Sequence, residues 1–196
     1  MLNLRKLPAQ AGLSNMGCAM PIVAFQGVSG AYSESAIFQY FGADTPTLPC
    51  PSLERVFDAV ETGQSQLGIV PVENALVGSW PRVYELLMER DLRIQAEVIM
   101  RIRHTLMAAP GVKLADLRRV RSSQSSLGQC EQFILKNGWK AIPAFDTASS
   151  AKELAEHPEP DLGVIANRLA AEIYHLDILQ EEIEDAPFNY TRFFIL

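Results

Sequence analysis

Short apolar runs alternate along this chain with stretches of helical periodicity. Ile22-Val23-Ala24-Phe25 is the first run, and Gln26-Gly27-Val28-Ser29-Gly30 ends it before helical spacing begins at Tyr32 and continues to Phe41. The pattern predicts a strand, a glycine turn and a helix. Ser52 is a good N-cap for a helix from Leu53 to Glu61, where Leu53, Val56, Phe57 and Val60 recur at helical intervals. Gly68 to Val72 reads as a second buried strand, and Trp80 to Arg90 as a helix that turns Val83, Leu86 and Leu87 inward. The alternation Leu92, Ile94, Ala96, Val98, Met100 predicts a strand, with another over Thr105 to Ala108.

The second half repeats this logic. Val120 leads into a Ser-rich turn, Ser122 to Ser126, and then a helix from Leu127 to Lys136. A strand over Ala141 to Phe145, a Thr147-capped helix to Glu156, a strand over Gly163 to Ala166, a helix from Arg168 to Tyr174 and a strand over Arg192 to Ile195 complete the reading. Strands alternating with helices define an α/β protein, with mainly parallel pairing expected. Two halves, each with a Gly- or Ser-rich turn from strand to helix, would set backbone N–H groups facing each other across a cleft.

Composition narrows the function. Of 196 residues 48% are hydrophobic and 20% charged, as in an ordinary globular protein. The net charge of −6 and the absence of a basic cluster argue against a nucleic-acid surface and point to a small-molecule partner. Cys18, Cys50 and Cys130 are odd in number and widely spaced, which argues against a disulfide framework or a zinc site and points to reduced cytosol. Residues 1–20 lack the continuous apolar stretch of a signal peptide and read as a flexible leader. No run reaches the roughly 18 apolar residues that span a bilayer, so a membrane partner is not expected.

Four segments could carry chemistry. Gly27 to Glu34 places small residues where a strand meets a helix, so a carboxylate could approach bare N–H groups; a tight turn without ligand is the alternative. Glu73-Asn74 and Gly78-Ser79 follow a buried strand at the end where open α/β sheets bind ligands, although Glu73 alone equally suits a helix cap. His104, between Arg103 and Thr105, has no acid-base partner nearby and reads first as a structural histidine. Asn189-Tyr190-Thr191-Arg192-Phe193 sets a hydroxyl beside a guanidinium, a proton donor with a carboxylate clamp or simply a polar strand entry. None of the histidines is spaced with another ligand, so no metal is expected.

Several of these segments occur together in a known family. Val23-Ala24-Phe25-Gln26-Gly27 through Gly30-Ala31-Tyr32-Ser33-Glu34, Val70-Pro71-Val72-Glu73-Asn74, His104-Thr105-Leu106, Leu127-Gly128-Gln129-Cys130-Glu131, Ala170 to Tyr174 and Asn189 to Phe193 resemble the catalytic domain of prephenate and arogenate dehydratases. The resemblance implies a two-lobed fold like that of type 2 periplasmic binding proteins, with the active site between the lobes. It divides the chain into residues 21–97 plus 183–196 and residues 98–182. It implies a cofactor-free hydro-lyase of phenylalanine biosynthesis that expels a ring hydroxyl and carbon dioxide from prephenate, or alternatively from arogenate. A non-catalytic binding homologue of the same fold is the rival reading.

By that resemblance Thr191, Asn74 and Gln129 are expected to be catalytic, and Ser122, Arg192, Gly30, Ala31 and Tyr32 to bind substrate. Ser123-Gln124-Ser125 stands where the family commonly has His-Pro-Gln, and Ala75 where it has Ser or Thr. Most relatives continue into a regulatory ACT domain beyond the position of Leu196, so control by phenylalanine is not expected of this stretch; association as a homodimer stays open.

Overall fold

The computed structural model describes residues 20–196, so the expected leader lies outside them but for Met20, as does Cys18. The order of elements is β1 (Val23–Gln26), α1 (Tyr32–Phe41), β2 (Thr47–Cys50), α2 (Leu53–Glu61), β3 (Leu67–Asn74), β4 (Gly78–Ser79), α3 (Pro81–Glu89) and β5 (Ala96–Arg101). Then follow β6 (Thr105–Ala108), β7 (Arg119–Ser123), α4 (Gln124–Gln129), α5 (Glu131–Asn137), β8 (Lys140–Ala144), α6 (Thr147–Glu156), β9 (Leu162–Ala166), α7 (Arg168–Tyr174), β10 (Asp177–Gln180) and β11 (Tyr190–Ile195).

Two sheets result. One has the order β2-β1-β3-β11-β5 with β4 folded back on β3; the other has the order β10-β6-β9-β7-β8. Each is covered on both faces. In the first, Phe57, Val83 and Leu86 from α2 and α3 pack on Val70 and Val72, and Ile37 of α1 packs on Phe25, Ile69 and Phe193 from the other side. The second sheet has an equivalent pair of cores, one containing Trp139 and Ile134 and the other Leu154 and Ala170. The chain passes between sheets after Arg101 and returns after Gln180. This is the two-lobed α/β arrangement expected.

Several details differ. Pairing is parallel in β2-β1-β3 and β8-β7-β9 but antiparallel for β5, β6, β10 and β11. Parallel pairs arise where a helix carries the chain back to the same end of the sheet, whereas β6 and β11 enter directly from the opposite lobe. The division expected after residue 97 falls inside β5, all of which pairs with β11, and Ile183 packs in the core of the second lobe. The strand expected from Leu92 begins only at Ala96, because Leu92 packs below α3 and Ile94 is half exposed. The Ser-rich stretch is the end of β7 and the start of α4, with Ser123 as the N-cap accepting from the Ser126 N–H, and the helix breaks at Cys130. Asp146, not Thr147, caps α6 by accepting from the Ser149 N–H at 2.6 Å, since a carboxylate satisfies both the free donor and the helix dipole. The strand β2 contains Pro49, which is tolerated because β2 is an edge and pairs on one side only.

Candidate active site

A cavity of about 320 Å³ lies between the lobes. The pairing of β11 with β3 builds its floor: Thr191 stands opposite Asn74 in the register, and both are buried. The Asn74 Nδ2 donates to Thr191 Oγ1 at 2.9 Å and to Asn189 Oδ1 at 2.8 Å. Asn189 Nδ2 in turn donates to Gln129 Oε1 at 2.8 Å, at the C-terminal end of α4 in the other lobe. His104 Nε2 lies 2.6 Å from the same Gln129 oxygen, and its Nδ1 lies 2.7 Å from the Tyr32 hydroxyl at the start of α1. Six side chains from both lobes thus form one chain of hydrogen bonds.

Its proton pattern follows from one fixed end. Asn74 Oδ1 accepts from the N–H groups of Leu76 and Val77, each at 3.0 Å, and backbone donors can face only an oxygen. The Asn74 amide therefore presents Nδ2 to Asn189 and Thr191, with the Tyr190 carbonyl also within reach at 3.1 Å. Asn189 must then accept with Oδ1 and donate with Nδ2, Gln129 accepts with Oε1, and His104 carries its proton on Nε2. His104 Nδ1 is left to accept from Tyr32. Thr191 is the informative terminus: its oxygen receives a proton from Asn74, so its own O–H is free to donate into the cavity.

Burial lowers the His104 pKa from its ordinary value, opposed by the hydrogen bond to Gln129 and the charge of Glu184. The lowered pKa favours the neutral imidazole, in agreement with that tautomer. Burial holds the Tyr32 phenol well above its ordinary value, with Cys130 and Glu184 pushing the same way, so Tyr32 remains a donor.

The expected site residues fare unequally. Thr191, Asn74, Gln129, Ala31 and Tyr32 line the cavity. Ser122 does not: it is fully buried and its hydroxyl donates to the Ile165 carbonyl at 2.6 Å, while Ser123, Ser125 and Ser126 line the wall instead. Arg192 does not either. Successive side chains of a strand face opposite sides, so Thr191 points into the cavity and Arg192 lies on the other face, pairing with Glu97 at 2.7 Å and stacking over Phe194. The N–H of Gly30 is also spent, donating to the Glu34 carboxylate at 2.6 Å. Gly30 serves packing: with φ of +91°, its missing Cβ would sit 2.7 Å from Ala170 Cα of α7, where the lobes touch.

The carboxylate-binding capacity therefore rests on helix ends. In the first turn of α1 the N–H groups of Tyr32 and Ser33 have no protein partner among the described residues, and both residues line the cavity. His104, Asn189 and Asp146 were missed as site residues. The partners of His104 are 72 and 25 positions away in sequence, beyond the reach of any local spacing.

The two lobes, the cleft between them and its polarised hydrogen-bond chain define an α/β protein with an interlobe cleft suited to a small polar molecule. The family model described as prephenate dehydratase matches residues 23–196, and the chain belongs to that family. Arogenate dehydratase 2 of Petunia hybrida is 42% identical over 95% of this chain and 48% of its own length. A bifunctional N-acyl-homoserine lactone acylase/prephenate dehydratase of Komagataeibacter europaeus is 38% identical over 89% of this chain and 62% of its own. Among solved structures, prephenate dehydratase from Arthrobacter aurescens in complex with L-Phe superposes with a TM-score of 0.82 at 30% identity, over 89% of this chain and 59% of that one. The quorum-quenching acylase GqqA superposes with a TM-score of 0.83 at 37% identity, over 89% and 63%. The chain spans about half the length of the plant relatives it matches.

Proposed function

We propose that this chain is a dehydratase that converts prephenate to phenylpyruvate, or arogenate to phenylalanine, by joint loss of a ring hydroxyl and carbon dioxide. The observation that carries the reading is the Thr191 hydroxyl at the cavity wall, whose oxygen accepts from Asn74 Nδ2 and so leaves its O–H free to donate toward the cleft. A threonine is far too weak an acid to release a free proton, so Thr191 acts by donating a hydrogen bond to the departing hydroxyl, which strengthens as charge develops. Substrate carboxylates meet the N–H groups of Tyr32 and Ser33, since the Arg192 guanidinium faces away from the cavity. The aromatic ring gained in the product supplies the driving force, and family membership and the dehydratase relatives support the assignment.

The charge of the wall favours one substrate. Asp146 is the one carboxylate among the residues that line the cavity, and no Lys or Arg is among them. Arogenate carries an ammonium where prephenate has a keto group, so an acidic wall without a cation suits arogenate better. The buried free thiols of Cys50 and Cys130 support a reducing compartment, the cytosol in our reading.

Supplying the purified chain with each compound tests the proposal. Phenylpyruvate from prephenate or phenylalanine from arogenate is expected, with the larger kcat/KM on arogenate. Binding of both compounds with turnover of neither would favour a non-catalytic homologue.

A further inference from the structure

We propose that Asn189 is a positioning residue that fixes the orientation of Thr191 on one side of the cleft and of Gln129 and His104 on the other. Asn189 is fully buried and so does not touch substrate. It is placed where the chain returns from the second lobe: its carbonyl accepts from the Ile102 N–H at 2.8 Å, which ties the two crossings together, and β11 begins at the next residue. Its amide is the link between lobes in the hydrogen-bond chain. The oxygen accepts from Asn74, the residue that holds Thr191, and the nitrogen donates to Gln129, the residue that sets the His104 tautomer.

An amide is the side chain that this place requires, because one end must accept while the other donates. A carboxylate could still accept from Asn74 but would face the Gln129 oxygen with a second acceptor. Gln129 would then turn its Nε2 toward that carboxylate. His104, now facing a donor, would shift its proton to Nδ1, and Tyr32 would turn its own proton to the Arg103 carbonyl, which already lies 3.1 Å away. One substitution at Asn189 is thus read out at His104, without any contact between the two.

Two variants and two readouts test this, the kinetic one resting on the dehydratase reading and the spectroscopic one independent of it. Asn189→Leu removes both hydrogen bonds at similar volume. In the otherwise natural chain it should lower kcat about tenfold to a hundredfold with little change in KM, the scale expected of a displacement near 1 Å at a reacting group. In a Thr191→Val background it should lower kcat by a clearly smaller factor, because the hydroxyl it positions is already gone and only the Gln129 side of its role remains. Equal losses in both backgrounds would overturn the proposal, since a residue that merely stabilises the fold loses the same factor in each. In parallel, ring-nitrogen NMR of His104 should report the Nε2–H tautomer in the natural chain and the Nδ1–H tautomer in Asn189→Asp in alkaline buffer. An unchanged tautomer would overturn it. Should the natural chain turn over neither compound, the dehydratase reading fails while the NMR measurement still decides the positioning.

Discussion

His104 has a partner on each ring nitrogen and is almost fully buried, and burial favours its neutral form in the folded state. A depressed folded pKa contributes stability that is fully present above the unfolded value near pH ~6.5 and is lost as pH falls toward the lowered folded value, because only the unfolded chain takes up the proton there. The slope from one such group is at most about 1.4 kcal/mol per pH unit. Urea unfolding of the natural chain and of His104→Gln at a series of pH values below neutrality should therefore give curves that converge on the acid side. Curves that stay parallel would mean that the folded state accepts the imidazole proton without cost.

Alternation within β11 separates two neighbours that the sequence set side by side. Arg192 pairs with Glu97 across the face of the sheet remote from the cavity, both side chains being about half exposed, and such a pair is worth about 0–1 kcal/mol. Arg192→Ala should leave kcat/KM within a few fold of the natural chain; a hundredfold loss would return Arg192 to the substrate. Gly30 acts at the contact between α1 and α7, and Gly30→Ala should cost about 1–3 kcal/mol in denaturant unfolding from backbone strain, with any clash against Ala170 adding to it. The elements themselves were legible: α1, α2 and α7 span the residues that helical periodicity marks, most clearly α2, which buries Leu53, Val56 and Phe57 on one face. What periodicity could not supply was the facing of residues across strands. Thr191 meets Asn74 through a register set 117 positions apart, and Ser122 and Arg192, which the family resemblance puts at the site, lie away from the cavity, the one bonded to the Ile165 carbonyl and the other on the opposite face of β11. The edge strand β2 was missed because Pro49 weakens the strand signal, and β10 because its two apolar residues, Ile178 and Leu179, stand between Asp177 and Gln180 and neither is fully buried.

At the scale of the molecule, neither lobe holds the site alone. The first contributes Thr191, Asn74 and the N-terminus of α1; the second contributes Gln129 and the capped end of α6; and the crossings contribute His104 and Asn189. Lobe separation must therefore break the hydrogen-bond chain as well as open the cavity, so its geometry and the protection of the reacting groups from water are coupled. The acidic wall makes a second statement at this scale. If Asp146 sets the preference, Asp146→Asn should reduce kcat/KM for arogenate more than for prephenate, and an equal reduction would reduce Asp146 to its role as the cap of α6. The most direct measurement of the central claim compares the natural chain with Thr191→Val, which keeps the shape and deletes the donor, in assays that follow phenylpyruvate from prephenate and phenylalanine from arogenate. A donor to the leaving group is worth about a hundredfold to ten-thousandfold in rate, so kcat should fall by that factor while the melting temperature and substrate affinity change little. Turnover by Thr191→Val within a few fold of the natural chain would contradict the account, because the hydroxyl aimed into the cleft would then have no part in the chemistry.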